Sequence, residues 1–279
     1  MRILSIDGGG ILGCGPSHYL KQLEAQVPGK WEHALTGTSV GALLIALRAI
    51  GYTWAEIDRI FSEEGPKIFA RPGITWRMNP MAPKYPSTAL EAACKKYLRG
   101  ATCKDSRVPL YIPSMDMVSG KPKVFDDTDS DLLADVVLRS TAAPTYFAPR
   151  DGRWVDGGLV ANNPSGLAVL AMLRDGHPVD QLSVLSLDTG GKFWKNPGIS
   201  ARMLPTSWIQ PVIRSQMSGN EEAGEFACTA LLGTRHTRIT PSLPHDFELD
   251  AVGAMGAYRD LWESCWQETR INAVAAATR

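Results

Sequence analysis

Two glycine-rich turns near the start of the chain, Asp7-Gly8-Gly9-Gly10 and Gly37-Thr38-Ser39-Val40-Gly41, and a third far downstream, Asp156-Gly157-Gly158, hold the groups best suited to chemistry. The second turn has the G-x-S-x-G form of a nucleophile elbow, a tight strand-to-helix bend that exposes a serine hydroxyl between small residues. Ser39 is the candidate nucleophile, with Gly37 and Gly41 as its small flanks. A serine hydroxyl is a poor nucleophile at neutral pH and needs a base within hydrogen-bond reach. Asp156 is the candidate base: it follows a predicted strand and precedes Gly157 and Gly158, which let its carboxylate approach another loop. An aspartate of ordinary pKa, about 3.9, is a weak base. The site must therefore desolvate it or transfer the proton chiefly as the transition state forms. Catalysis then leans on an oxyanion hole, for which the backbone N–H groups of Gly8, Gly9, Gly10 and Val40 are the candidates. One such donor is worth ~3 kcal/mol.

The elements that must position these groups alternate along the chain. The apolar run at 2–6 reads as a buried strand, and the first glycine turn opens onto a helical pattern over 15–26. A strand near 33–35 leads into the serine elbow and an apolar helix over 40–50. Thr53-Trp54-Ala55-Glu56 has the capping-box pattern for another helix. The proline-rich stretch 66–86 is expected to break regular structure, after which Ser87 caps a helix over 88–98. Strands at 108–115 and 123–125 flank Ser119-Gly120, and a helix over 131–140 stops before Pro144. Trp154 and Val155 form the strand that delivers Asp156; a helix over 164–174, a strand at 182–187 and a helix near 253–275 follow. Asn162, Asn163 and Pro164 read as a cap for the helix after the aspartate turn. The pattern predicts an α/β protein with a mixed sheet covered by helices.

With 279 residues the chain can bury a substantial core, and the three turns of one site span residues 7 to 158, which predicts a single domain over 1–279. The 29 basic residues balance the 29 acidic ones, so no global field points to nucleic acid. Five scattered cysteines without C-x-x-C spacing suggest neither a disulfide framework nor a zinc site, and fit a reducing compartment. The amino terminus enters a strand at once, without the features of a secretory signal. The longest apolar run, 40–50, is interrupted by Arg48 and too short to span a bilayer. The expectation is a cytoplasmic protein, or one acting in the cytosol of a host or target cell, peripheral at membranes.

The three ordered motifs resemble those of the patatin-like phospholipase family, and the resemblance covers most of the first 190 residues. Asp7-Gly8-Gly9-Gly10 matches the family's oxyanion motif, Gly37 to Gly41 its serine elbow and Asp156-Gly157-Gly158 its aspartate motif; the segment 142–147 and Asn162-Asn163-Pro164 are also similar. The resemblance implies a Ser-Asp dyad acting on phospholipids or other acyl esters, without metal or cofactor. It implies a patatin-like three-layer α/β/α sandwich with a mixed, mainly parallel central sheet. One position departs: where the family commonly carries a basic residue two places after the first motif, this chain has Leu12, then Gly13. That change is expected to alter how anionic groups are held more than the basic chemistry. Some similar bacterial proteins are effectors switched on by a small nucleotide or protein, which leaves room for an activator or a homo-oligomer.

Two other readings use the same residues. Gly8-Gly9-Gly10-Ile11-Leu12-Gly13 also satisfies the G-x-G-x-x-G of a dinucleotide-binding oxidoreductase or nucleotide-binding module, although Asp7 would face a pyrophosphate and Glu32 precedes its strand instead of ending it. A Ser-Asp-His triad would draw on His236 or His245, for which turn or surface positions are the plainer expectation. Two acid-free stretches interleave cations with apolar anchors as a lipid surface requires. The first, 66–86, holds Lys67, Arg71, Arg77 and Lys84 beside Ile68, Phe69, Trp76, Met78 and Met81. The second, 190–220, holds Lys192, Lys195, Arg202 and Arg214 beside Phe193, Trp194, Met203, Leu204, Trp208 and Ile209.

Overall fold

The computed structural model describes residues 1–29, 31–79, 82–190, 209–245 and 247–278. In chain order the main elements are β1 (Arg2–Ile6), α1 (Cys14–Gln26), β2 (Ala34–Gly37), α2 (Val40–Ala49), α3 (Trp54–Ile68), α4 (Ile74–Arg77), α5 (Thr88–Leu98), β3 (Leu110–Asp116) and β4 (Lys121–Asp126). They continue as α6 (Leu133–Ser140), β5 (Trp154–Val155), α7 (Gly158–Ala161), α8 (Ser165–Arg174), β6 (Ser183–Leu187), α9 (Ile209–Leu232), β7 (His236–Ile239) and α10 (Met255–Thr278). The strands make one sheet of order β4-β3-β2-β1-β6-β7, with β5 paired to β3. The β1–β2, β2–β3, β1–β6 and β6–β7 pairs are parallel; β4 and β5 run antiparallel to β3.

Strand alternation sorts the core into two layers. Leu4, Ile6, Leu35, Ile112, Leu185 and Leu187 face the larger cluster, together with α1, α2, α3 and α10. Ile3, Ala34, Tyr111 and Val184 face the other way, against Ala168, Val169 and Met172 of α8 and Cys228 and Leu232 of α9. Each fully buried aliphatic side chain contributes about 1.5–3 kcal/mol, so a one-residue slip of β1 would exchange its two packed faces. The result is the expected three-layer α/β/α sandwich with a mixed, mainly parallel sheet.

Local expectations fare unevenly. The capping box at Thr53 forms, with Thr53 Oγ1 accepting from the Glu56 N–H and Glu56 accepting from the Thr53 N–H. Pro66 does not break its helix: α3 runs through it to Ile68, because buried Ile57, Ile60, Phe61 and Ile68 hold that face to the core and only the last turn loses a hydrogen bond. Short α4 also lies within the supposedly irregular stretch. Ser87 occupies the N-cap position of α5 without a side-chain cap bond. α8 starts at Ser165 with Pro164, not an asparagine, at its N-cap position; Asn163, one residue earlier, accepts the Ser165 N–H on Oδ1 at 3.1 Å, while Asn162 serves elsewhere. Among the described residues no helix is long and apolar enough to cross a membrane. Met81 and the anchors Lys192, Phe193, Trp194, Lys195, Arg202, Met203, Leu204 and Trp208 lie outside the described residues.

Candidate active site

The parallel strands β1, β2 and β6 end on one edge of the sheet, where open α/β sheets bind ligands. Ser39 follows β2 and stands at φ 53°, ψ −119°, a strained conformation for a residue with a side chain, at the entry to α2. The elbow closes only because its flanks lack a Cβ. One added to Gly37 would lie 2.5 Å from the Gly41 carbonyl, and one added to Gly41 would lie 2.2 Å from the Ile6 oxygen. The Ser39 N–H donates to Ser140 Oγ at 3.1 Å, which fixes the bend from α6.

β5 pairs with the last residues of β3 and turns Asp156 toward this elbow. A Cβ on Gly157 would lie 2.2 Å from the Pro113 oxygen, so the turn packs directly on β3. Asp156 is 1% exposed, and its Oδ1 accepts the Gly158 N–H at 2.7 Å. Burial pushes its carboxyl up to about 6; the Gly158 N–H and the nearby Ser39 hydroxyl act in the opposite sense. Asp156 Oδ2 nevertheless has no well-formed hydrogen bond. The pair is close but loosely aligned, as catalytic contacts often are without substrate.

The first glycine turn supplies donors, with one correction. The Gly8 N–H is spent on the Asn162 carbonyl at 3.1 Å, so Gly8 is no free oxyanion donor. The N–H groups of Gly9, Gly10 and Val40 have no partner among the described residues. Gly10 sits at φ 58°, where a Cβ would lie 2.3 Å from the Leu249 oxygen, so glycine is required there on two counts. Ser39, Val40, Asp156, Gly9 and Gly10 share the wall of one open cavity; Leu43, Phe61, Ile68, Phe69, Leu90 and Phe147 make much of the rest. Thr141, Ala143, Tyr146 and Phe147, from or just before the 142–147 segment, also line it. Among the described residues no histidine lines it.

The remaining candidates fall away from this cavity. His236 is on β7, partly buried, rather than in a turn or on the surface, and interacts with Thr229; His245 stacks on Phe247. The dinucleotide reading also loses its acid: buried Glu32 accepts from Arg48 and from Trp54 Nε1. The Ile11 N–H, in the same glycine-rich segment, is taken by the Leu249 carbonyl.

Several supporting residues carry no motif. Asp7 is fully buried and accepts from Arg238 at 3.1 and 2.6 Å; the same guanidinium meets Glu221 at 2.9 Å and Asp188 at 3.4 Å. Asn220 on α9 accepts the Asn162 N–H at 2.8 Å and donates to the Gly158 carbonyl at 2.7 Å, bracing the segment after Asp156, whose Asn162 carbonyl in turn holds the Gly8 N–H. Thr189 donates to the Gly8 carbonyl at 2.5 Å. These partners lie on distant segments that no motif in the sequence marks.

Residues 4–169 match the family model for Patatin-like phospholipase. A cGAMP-activated phospholipase of Escherichia coli (strain TW11681) is 33% identical over 204 residues, 63% of this chain and 56% of that protein. One from Vibrio cholerae serotype O1 is 27% identical over 300 aligned residues, 90% of this chain and 84% of that protein. The crystal structure of VipD from Legionella pneumophila superposes with a TM-score of 0.50 at 12% identity, over 96% of this chain and 66% of that one, a likeness of fold. The chain thus spans little more than half of the Escherichia coli relative. With the family's region covering the elbow, both glycine turns and strands β2 to β5, the chain belongs to the patatin-like phospholipase family.

Proposed function

We propose that the protein is a lipid acyl hydrolase working through a Ser39–Asp156 dyad. The observation that carries this reading is the buried Asp156 carboxyl, raised to about 6 with Oδ2 unpartnered, beside a serine held at φ 53°. A carboxylate of that basicity is ionised at neutral pH yet accepts a proton more readily than an exposed aspartate. Ser39 Oγ attacks the ester carbonyl as its proton passes to Asp156, and the N–H groups of Gly9, Gly10 and Val40 stabilise the oxyanion. Collapse breaks the acyl–oxygen bond, and Asp156 returns the proton to the leaving alcohol. Water, deprotonated by Asp156, then releases the fatty acid from Ser39.

The apolar cavity suits an acyl chain, and exposed Ile74 and Met78, 72% and 75%, beside Arg77 suit contact with a lipid surface. Two relatives carry both phospholipase and activation by cGAMP in their names. The test is fatty-acid release from phosphatidylcholine vesicles and p-nitrophenol release from p-nitrophenyl butyrate, each with and without cGAMP. Wild type and His245→Ala should be active, with Ser39→Ala and Asp156→Asn inactive but folded. Activity that survives in Asp156→Asn and is lost in His245→Ala would replace the dyad with a triad.

A further inference from the structure

A phospholipid carries a phosphate as well as acyl chains, and the described lining of the Ser39 cavity holds no cation to receive it. Among the described residues neither lysine nor arginine lines that cavity, and Asp156 presents a carboxylate there. Leu12, where a cation was expected, is 2% exposed and packed in the core. The charge lies one wall away. Phe69 lines the Ser39 cavity on one side and, on the other, a second cavity walled by Arg71, Lys84, Tyr85 and Asp250.

We propose that this second cavity is the subsite for the phosphodiester of a phospholipid whose acyl chain lies in the Ser39 cavity, an inference that rests on the acyl-hydrolase reading. The subsite is tied to the reacting centre. The Lys84 and Tyr85 N–H groups donate to the Thr145 and Tyr146 carbonyls, both at 2.8 Å, within the segment that also walls the Ser39 cavity. Tyr85 meets Phe69 edge-on with ring centroids 5.6 Å apart. Asp250, next to Leu249 of the Ser39 cavity, accepts from Lys84 Nζ at 2.5 Å and from the Tyr85 hydroxyl at 2.5 Å.

Charge decides what fits. Lys84 is neutralised by Asp250, while Arg71 lines the same cavity with no hydrogen bond or ion pair among the described residues. Two cations against one carboxylate leave a single positive charge, the complement of a phosphodiester monoanion. Arg71 also offers the planar fork of donors that suits phosphate oxygens.

The experiment uses the full chain with Ser39→Ala, so that bound lipid is not consumed. Binding of monomeric dihexanoylphosphatidylcholine, dihexanoylglycerol, glycerophosphocholine, inorganic phosphate and cGAMP is measured by calorimetry. Arg71→Gln, at an exposed position, should weaken dihexanoylphosphatidylcholine about tenfold and leave dihexanoylglycerol unchanged. Asp250→Asn, which keeps an acceptor for Tyr85 but removes the opposing charge, should tighten the phospholipid severalfold. The two phosphate compounds without acyl chains should bind far more weakly than the phospholipid.

Equal loss of dihexanoylphosphatidylcholine and dihexanoylglycerol in Arg71→Gln, or no loss of either, would overturn the proposal. So would an Arg71-dependent cGAMP affinity with unchanged phospholipid binding, which would assign the cavity to a regulator. Failure of the acyl-hydrolase reading is seen separately, as absent hydrolysis by the Ser39-containing protein, and does not alter these binding outcomes.

Discussion

Asp7 and Asp156 begin the same tripeptide, Asp-Gly-Gly; each follows a strand, and they are 0% and 1% exposed. Their surroundings are opposite. Asp7 is held by two bonds from Arg238 in a network with Asp188 and Glu221, whereas among the described residues Asp156 has the Gly158 N–H on one oxygen and only a loosely aligned Ser39 hydroxyl near the carboxylate. Burial raises both carboxyls, and Arg238 opposes the rise only at Asp7. A satisfied carboxylate can hold a loop in place but has little capacity left to accept a serine's proton. The tripeptide therefore places an acid at a turn, and its partners decide whether that acid supports the fold or the chemistry.

The contrast breaks most visibly in activity. Asp156→Asn keeps an oxygen for the Gly158 N–H but removes the base, and should lower kcat about 10³-fold, or ~4 kcal/mol in transition-state stabilisation. A stopped assay with p-nitrophenyl butyrate measures it. If Asp156→Asn retained more than a tenth of wild-type kcat, the distinction between the two acids would collapse.

At Asp7 the large effect should appear in stability. Arg238→Met leaves Asp7, Asp188 and Glu221 buried without their cation, and loss of one partner of a buried pair costs about 3–5 kcal/mol. Urea unfolding should show that loss at pH 7.5, with less at pH 5 as Asp7, whose carboxyl burial raises, binds a proton. A loss under 1 kcal/mol would mean that the network does not hold the loop.

The sequence marked the elbow, the aspartate turn and the alternating layers because these depend on local geometry: a nucleophile between glycines, an acid before glycines, apolar residues at period two. It did not disclose Arg238, which reaches Asp7 across 231 positions, or Asn220, which braces the segment after Asp156 from α9. Gly8 was misassigned because its N–H is spent on Asn162, a tertiary partner that the motif does not contain. At Pro66 the buried face of α3 outweighed a local breaker. Local patterns fixed where reactive groups sit; long-range partners determined which of their atoms stay free.

The Asp156 environment should also carry a stability cost of smaller size. Its folded carboxyl is at about 6 against an ordinary 3.8, so between those values the folded state binds more protons than the unfolded chain. Stability therefore falls as pH rises through this window, by about 3 kcal/mol in all. Asp156→Asn should gain up to that amount above pH 6 and nothing near pH 4, while wild-type kcat/KM drops about tenfold per unit below the folded pKa. A variant no more stable at pH 7.5 than at pH 4, relative to wild type, would show that Asp156 is not held in an unfavourable ionised state.

The smallest effect should come from Ser140, which touches both halves of the site. Its Oγ accepts the Ser39 N–H at 3.1 Å, and its carbonyl accepts the Gly157 N–H at 3.0 Å. Ser140→Ala keeps the carbonyl bond but leaves the buried Ser39 N–H without its acceptor, at a cost of about 1–2 kcal/mol. The strained elbow then loses one restraint, while the Asp156 turn keeps its own. A severalfold fall in kcat with the pH dependence unchanged is expected, since Asp156 keeps its surroundings. A displaced acidic limb in the kcat/KM profile would instead show that Ser140 also controls the environment of Asp156, and the two halves of the site would have to be treated as one coupled unit.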